Sequence, residues 1–514
     1  MTEASAGTPD PAVFSHRDIL TVFSGVALAM LMAAIDQTIV ATALPTMATQ
    51  LGNLDLASWV VSAYLLTATA TAPIYGKLSD LFGRKRVLES AILFFLAGSV
   101  LCAAAQSMTQ LVIFRAIQGL GGGGLMVLAF TIIADVVSPR ERGRYQGLIG
   151  GIFALASVVG PLLGGFFTEY LSWHWIFLSN LPIGGAALVM TGRALGRLPR
   201  GRARPRVDVL GAVLLMTAVT CLLMVVSNGG VRLPWASWPI VGLALTGAVL
   251  TAAFVRHERR TAEPILPMSL FRVPVFSVAV AVVAVSAMVL FGGIVFLPLH
   301  LQLVQQTGAT ASGLLLLPMV LGMTVGAVGG GRLIARTGRY KIFPLVGLGL
   351  SALMYTILGL ASHMVSGAMG SSLILVPLGI GLGLVMPVMT VAVQNAVDHR
   401  DMGAATASVG FFRSLGGMAG VALFGAALAA DVSARLEQAG LPGLDPRAVM
   451  ERGNAVIETL PAVVRAAVLG AFEAGFETTY FMAAGLAAVS FLLTLFLPEL
   501  PLRAAPMRRD EAEG

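Results

Sequence analysis

The apolar residues of this chain are gathered into long runs, separated by short breaks rich in Gly, Pro, Arg and Lys. A helix needs about 20 apolar residues to cross the hydrocarbon core of a bilayer, whereas membrane barrel strands are about 10 residues long and alternate in polarity. The runs therefore predict an all-α polytopic membrane protein. Fourteen spans are expected, at 19–43, 57–75, 88–106, 110–134, 145–167, 173–192, 209–227, 237–255, 274–299, 312–331, 343–361, 370–393, 404–428 and 478–498. Between the last two runs lies a segment, 429–477, with Pro, Gly and mixed charge and partly helical periodicity over 448–468. It is expected to be a long external loop, folded as a cap or hairpin.

Composition agrees with the pattern. Of the 514 residues, 57% are hydrophobic and 11% charged, against about 25% charged in a soluble domain. Cys102 and Cys221 lie inside apolar runs and read as small packing residues, with no disulfide framework and no metal site. The polar N-terminus lacks a basic leader region, and the run 19–43 is too long for the core of a signal peptide, so it reads as an uncleaved first helix.

Charge placement sets the orientation. With the N-terminus in the cytoplasm, the inner loops hold Lys77, Arg84, Lys85 and Arg86, then Arg140, Arg142 and Arg144. Further on they hold Arg193 through Arg206, then Arg256, Arg259, Arg260 and Arg272, then Arg332, Arg336, Arg339 and Lys341. The short outer loops hold Arg232. Lys and Arg concentrate on the cytoplasmic side of membrane proteins, so both termini, 1–18 and 499–514, are expected there, in the cytoplasmic membrane. The net charge of +7 then faces anionic headgroups and gives no support for nucleic-acid binding.

An internal repeat divides the chain. Gly76-Lys-Leu-Ser-Asp80-Leu-Phe-Gly83-Arg84 follows the second span, and Gly331-Arg-Leu-Ile-Ala-Arg336-Thr-Gly338-Arg339 follows the tenth. Matching loops at matching places suggest a duplicated six-helix unit. The expected organisation is an N-terminal bundle at 19–192, an inserted two-helix linker with basic flanks at 193–273, and a C-terminal bundle at 274–498.

Asp36 is the carboxylate that stands well inside an apolar run. A charge at bilayer depth costs several kcal/mol, about 3 on insertion scales, so such a residue is a functional candidate by default; the alternative is a structural Asp satisfied by a neighbouring helix. Arg115 opens the fourth span and needs a partner for the same reason. With the two spans antiparallel and a rise of 1.5 Å per residue, both groups lie roughly 8–11 Å below the outer surface. They could meet if these spans are neighbours. Asp36 would then take and release a proton, and Arg115 would modulate it: a nearby guanidinium favours the carboxylate, while burial favours the neutral acid.

Several motifs carry a family resemblance. The 76–86 loop, with Gly76, Asp80, Gly83, Arg84 and Arg86, resembles the signature loop of the major facilitator superfamily. In that family it belongs to a latch on the outward-facing state, and Asp135 is the candidate partner of Arg84. The second copy has Ala335 where the first has Asp80, which argues against a symmetric latch. The fifth span, with Gly151, Gly160, Pro161, Gly164 and Gly165, resembles the Gly-Pro signature of proton-coupled exporters within the superfamily. The alternative is a generic glycine-rich packing helix. Asp36-Gln37-Thr38 with Ala43-Leu-Pro45 resembles the first span of the fourteen-helix drug:proton antiporters. Trp173 through Gly184 resembles the opening of their sixth span, with His174 where Arg is usual, and Gly403 through Gly417 resembles their thirteenth.

The resemblance implies a major facilitator fold with two inserted helices. It also implies proton-coupled efflux of amphipathic, cationic drugs or toxic small molecules by alternating access. Because Arg115 and Arg413 outnumber Asp36, neutral or anionic substrates stay open. The alternative is export of one endogenous metabolite, siderophore or lipid. Candidate cavity residues are Gln37, Tyr64, Gln118, Gln394, Asn395 and Arg413, any of which could instead hold helices together. The expected partners are protons, the exported molecule and the bilayer, with the chain acting as a monomer. No cofactor, metal or enzymatic activity is expected. Gly119-Leu-Gly-Gly-Gly-Gly124 matches a dinucleotide fingerprint, but it lies inside an apolar span with no preceding strand, and no nucleotide-binding P-loop occurs.

Overall fold

The computed structural model describes residues 16–53, 56–195, 207–229, 233–307, 309–361, 367–440 and 460–502. Among them, α1 spans His16–Leu51, α2 Ala57–Phe82, α3 Arg84–Ala103, α4 Met108–Val136, α5 Pro139–Tyr170, α6 His174–Leu178 and α7 Asn180–Ala194. There follow α8 (Val209–Asn228), α9 (Trp238–Glu258), α10 (Pro274–Leu303), α11 (Ala309–Leu315), α12 (Leu317–Thr337) and α13 (Ile342–Leu360). The last four are α14 (Gly367–Gly383), α15 (Met386–Ala396), α16 (Met402–Gln438) and α17 (Ala462–Leu495).

Every expected span falls on one of these helices or on a broken pair. Among the described residues, thirteen helical stretches are long and apolar enough to cross a membrane. The second span lies on α2, whose 26 residues include Thr67, Thr69 and Thr71. Three spans are broken where proline removes a backbone donor. Pro318 stands at the start of α12 and Pro387 at the start of α15, while Pro182 follows the α6–α7 break.

The external loop is shorter than the sequence suggests. α16 continues to Gln438 and α17 starts at Ala462, so 429–438 and 462–477 are helical, and Glu473 and Glu477 sit on helix turns. These extensions are amphipathic. Val432, Leu436, Val468, Phe472 and Phe476 pack together, and Arg435 pairs with Asp431 one turn away at 2.9 Å. Hydropathy marks where the membrane ends, which here is not where the helices end. Residues 441–459 lie outside the described set, as do 196–206 and Arg232.

Helix packing forms a ring. α1 packs on α5, α4 on α2 and α3, α10 on α16, and α12 on α14; α2 meets α16 and α5 meets α12 to close it. α8 and α9 pack on each other, with α8 also against α2 and α16. The two closing contacts rest on glycine. A Cβ on Gly76 would meet Gly403 O at 2.5 Å, and a Cβ on Gly143 would meet Gly331 O at 2.7 Å. Thus both repeated loops begin with a glycine that lies on a glycine of the opposite helix. Both contacts lie at the end of the ring that carries the basic loops, called here the basic end. The Gly119–Gly124 run is packing surface: a Cβ on Gly119 would strike Tyr64 O of α2 at 2.5 Å, and one on Gly121 would strike Ala91 O of α3 at 2.6 Å.

Overpacking at such a site costs about 1–3 kcal/mol. Gly121→Val should therefore lower the melting temperature of the purified protein, whereas Gly185→Ala, which has nothing within 4 Å of the added methyl, should not. Equal melting of Gly121→Val and wild type would contradict the α3–α4 packing.

Candidate functional site

Asp36 is fully buried on α1 and Arg115 is 1% exposed on α4. The guanidinium Nη1 donates to Asp36 Oδ2 at 2.6 Å. Asp36 Oδ1 accepts from Gln118 Nε2 at 2.9 Å and from Asn180 Nδ2 at 3.0 Å. Arg115 also donates from Nε to Val60 O at 3.1 Å and from Nη1 to Gln118 Oε1 at 2.6 Å, and lies 4.3 Å from the centre of the Tyr64 ring. Ser99 Oγ accepts from Gln118 and Asn180 at 2.8 and 3.2 Å. The local sequence accounts for the cluster. Arg115 and Gln118 are three residues apart and share a helix face, and Asn180 opens α7 just after the break at Ser179. Removing one member of such a buried pair costs about 3–5 kcal/mol, because the other charge is left uncompensated.

α5 bears directly on this site. Thr38, two residues beyond Asp36, donates to Ala156 O of α5 at 3.0 Å. Gly160 lies against Thr38, and a Cβ on Gly164 would meet Ile39 O at 2.8 Å. Pro161 is exposed within α5. Gly151 and Gly165 have nothing within 4 Å of an added Cβ, unlike Gly160 and Gly164.

At the basic end, Arg84 pairs with Asp80 at 2.6 Å and with Asp135 of α4 at 2.7 Å, and also donates to Ser79 Oγ. Asp80 accepts from the backbone N–H groups of Gly403 and Ala404 at 3.1 and 3.2 Å. A carboxylate at a helix N-terminus is favoured by the helix dipole, and Asp80 here ties α2 to the start of α16. Gly83, with φ of 92°, makes the turn from α2 to α3 that brings Arg84 back toward Asp80. Arg86 is exposed and joins no hydrogen bond or ion pair among the described residues, so its expected place in the latch is not seen.

The six cavity candidates divide. Tyr64, Gln118, Gln394 and Asn395 are all at most 4% exposed and serve as connections in this conformation. Gln394 Nε2 donates to Thr406 Oγ1 and Phe130 O at 3.2 and 3.4 Å, and its Oε1 accepts from Gln146 Nε2 at 3.2 Å. Gln394 thereby seals α15 and α16 to α4 and α5. Asn395 donates to Pro501 O at 3.2 Å. Gln37 and Arg413 are half-buried. Sequence reasoning missed Asn180, Ser99, Arg142 and Gln146 as working residues. Arg142 donates to Ala134 O and Val137 O at the end of α4 and to Gln394 O across the seal. A polar amide or hydroxyl in an apolar span was the available signal for Asn180 and Ser99; Arg142 read as one of many loop arginines.

The family profile of the Major Facilitator Superfamily matches residues 26–421. An uncharacterized MFS-type transporter of Mycobacterium tuberculosis (strain ATCC 25618 / H37Rv) is 41% identical over 94% of this chain and 70% of its own length. The multidrug transporter protein MdtP of Bacillus subtilis (strain 168) is 36% identical over 84% of this chain and 79% of its own. Among solved structures, the proton:xylose symporter XylE bound to 6-bromo-6-deoxy-D-glucose aligns with a TM-score of 0.61 at 15% identity, covering 95% of this chain and 97% of that one. At that identity the likeness speaks for the fold alone.

Asp80→Asn removes the charge that holds the start of α16 and should open the basic end. In a background with Cys102 and Cys221 replaced by Ala, a cysteine at Ala72, buried beside Val127 and Ala407, should react with a maleimide about tenfold faster after Asp80→Asn, a population change worth about 1.4 kcal/mol. An unchanged rate would remove Asp80 from the latch.

Proposed function

The chain belongs to the Major Facilitator Superfamily, and on that premise we propose that it is a proton-coupled efflux transporter of amphipathic small molecules, of the fourteen-helix drug:proton antiporter kind. Membership makes it a multi-pass membrane transporter and not an enzyme. The observation that carries the finer reading is the buried Asp36–Arg115 pair, braced by the Gly160–Gly164 face of α5. The names of relatives such as MdtP support efflux of drug-like molecules.

In this reading the basic end faces the cytoplasm of a bacterial cell, and the latch and the Gln394 seal close that side. A proton arriving from outside neutralises Asp36. The carboxyl then loses its attraction for Arg115, whose charge is left without its counter-ion at bilayer depth. That unfavourable state is relieved when α1 and α4 shift and the molecule opens toward the cytoplasm, where the proton leaves and substrate enters. Restoring the ion pair returns the bundles 19–192 and 274–498 to the closed basic end, with 193–273 as the inserted pair. A cationic substrate would have to compete with Arg115 for Asp36, because both carboxylate oxygens are already engaged.

The test is flux of a fluorescent amphipathic dye from proteoliposomes under an imposed pH gradient. Wild type should move dye against its gradient only while the pH difference lasts. Asp36→Asn should fall to the level of empty liposomes while eluting as a single species and still melting cooperatively, at a lower temperature than wild type. Undiminished gradient-driven flux in Asp36→Asn would overturn the proton-site assignment.

A further inference from the structure

Arg413 is the charge inside the ring that the proton site and the latch do not use. Its position follows from contacts along α16. Gly403 lies against Gly76 of α2, and Gly410 points at Val127 of α4. Gly416 and Gly420 lie against Ala284 and Met288 of α10. With 3.6 residues per turn, position 413 falls between these two directions, on the side of α16 that the ring encloses. Thr406 shares that direction, and its hydroxyl meets Gln394 in the seal. Arg413 is seven residues farther along, roughly 10 Å above the seal at 1.5 Å per residue. It therefore lies on the inner side of α16, above the seal.

The side chain is half-buried and makes no hydrogen bond or ion pair among the described residues. The other buried arginines are all engaged: Arg84 with Asp80 and Asp135, Arg115 with Asp36, and Arg142 with three backbone carbonyls. The sequence from 274 to 397 contains no Asp or Glu, and in the rest of its half Asp401 pairs with Arg400 and Asp431 with Arg435. Asp36 is held by Arg115, Gln118 and Asn180. Among the described residues, Arg413 is thus left as an uncompensated positive charge. Gly410 and Gly417, about one turn to either side of it on the helix face, carry no side chain. An apolar surface lies about one turn further along α16: Phe291 of α10, 36% exposed, lies against Gly417. A forked cation beside an aromatic face suits a carboxylate or sulfonate carried on an aromatic body.

We propose that Arg413 is the recognition site for the acidic group of an exported aromatic organic acid, with the aromatic body resting on Phe291. This rests on the efflux reading and gives it a substrate class, organic anions, in place of the cations that Asp36 alone suggests. Arg413 touches the substrate and takes no part in proton transfer.

Binding to the purified full-length protein separates the two claims. The probe is carboxyfluorescein, followed by anisotropy, with 1-naphthoate and 1-naphthamide as matched competitors of nearly equal shape. In wild type the acid should displace the dye at a concentration at least about tenfold lower than the amide. Arg413→Gln should erase that preference, and Arg413→Lys, which keeps the charge without the fork, should retain part of it. Absence of dye binding to wild type, equal competition by acid and amide, or an acid preference that survives Arg413→Gln would each overturn the assignment. If Arg413→Gln does not fold, the wild-type comparison of acid and amide decides alone. A preserved acid preference in a protein that shows no flux in proteoliposomes would refute the efflux reading and leave the Arg413 site standing.

Discussion

The cost of holding charge where water cannot reach it governs this molecule. Asp36 and Arg115 meet at 2.6 Å with almost no exposure between them. Gln118, Asn180 and Val60 add further hydrogen bonds to the pair. A buried pair of this kind contributes little net stability compared with a well-packed apolar substitute, yet breaking it by removing one partner is expensive. That asymmetry makes it suited to switching: the pair is quiet while intact and forces a response when one charge is cancelled.

α4 joins the switch to the latch. It carries Arg115 and Gln118 near one end and Asp135 near the other, a separation of twenty residues or roughly 30 Å. Asp135 holds Arg84, Arg84 holds Asp80, and Asp80 holds the first amides of α16. Arg142 then binds the last carbonyls of α4 to the Gln394 seal. α5 adds a second connection, since it bears on Thr38 and Ile39 beside Asp36 and on Gly331 at the basic end. In the proposed cycle, movement of α1 against α4 would therefore reach both closing contacts without any need for α1 itself to reach the seal.

Much of this was legible in the sequence because membrane insertion writes strong signals. Twenty-residue apolar runs, basic loops and a lone intramembrane carboxylate have few interpretations, and the equal depth of Asp36 and Arg115 followed from counting residues. The Arg84–Asp135 pair was legible from the loop pattern. What was not legible depends on contacts between distant segments. Asn180 is one amide among many until the α6–α7 break aims it at Asp36. Glycines look alike in sequence, but Gly160 and Gly164 touch α1 while Gly151 and Gly165 touch nothing. The extensions of α16 and α17 past the membrane were hidden because their polar faces resemble loop composition. The unpaired state of Arg413 is a property of the whole ring, and no local pattern could reveal it.

Linkage between the charge on Asp36 and closure of the basic end is the central claim, and infrared difference spectroscopy of the carboxyl region tests it most directly. Spectra of protein with the latch intact would be compared with those of protein held open at the basic end, using Asp36→Asn to assign the signal. The account predicts a carboxylate at Asp36 when the latch is closed and a protonated-carboxyl band, absent in Asp36→Asn, when it is open. The same Asp36 signal in both states would contradict it.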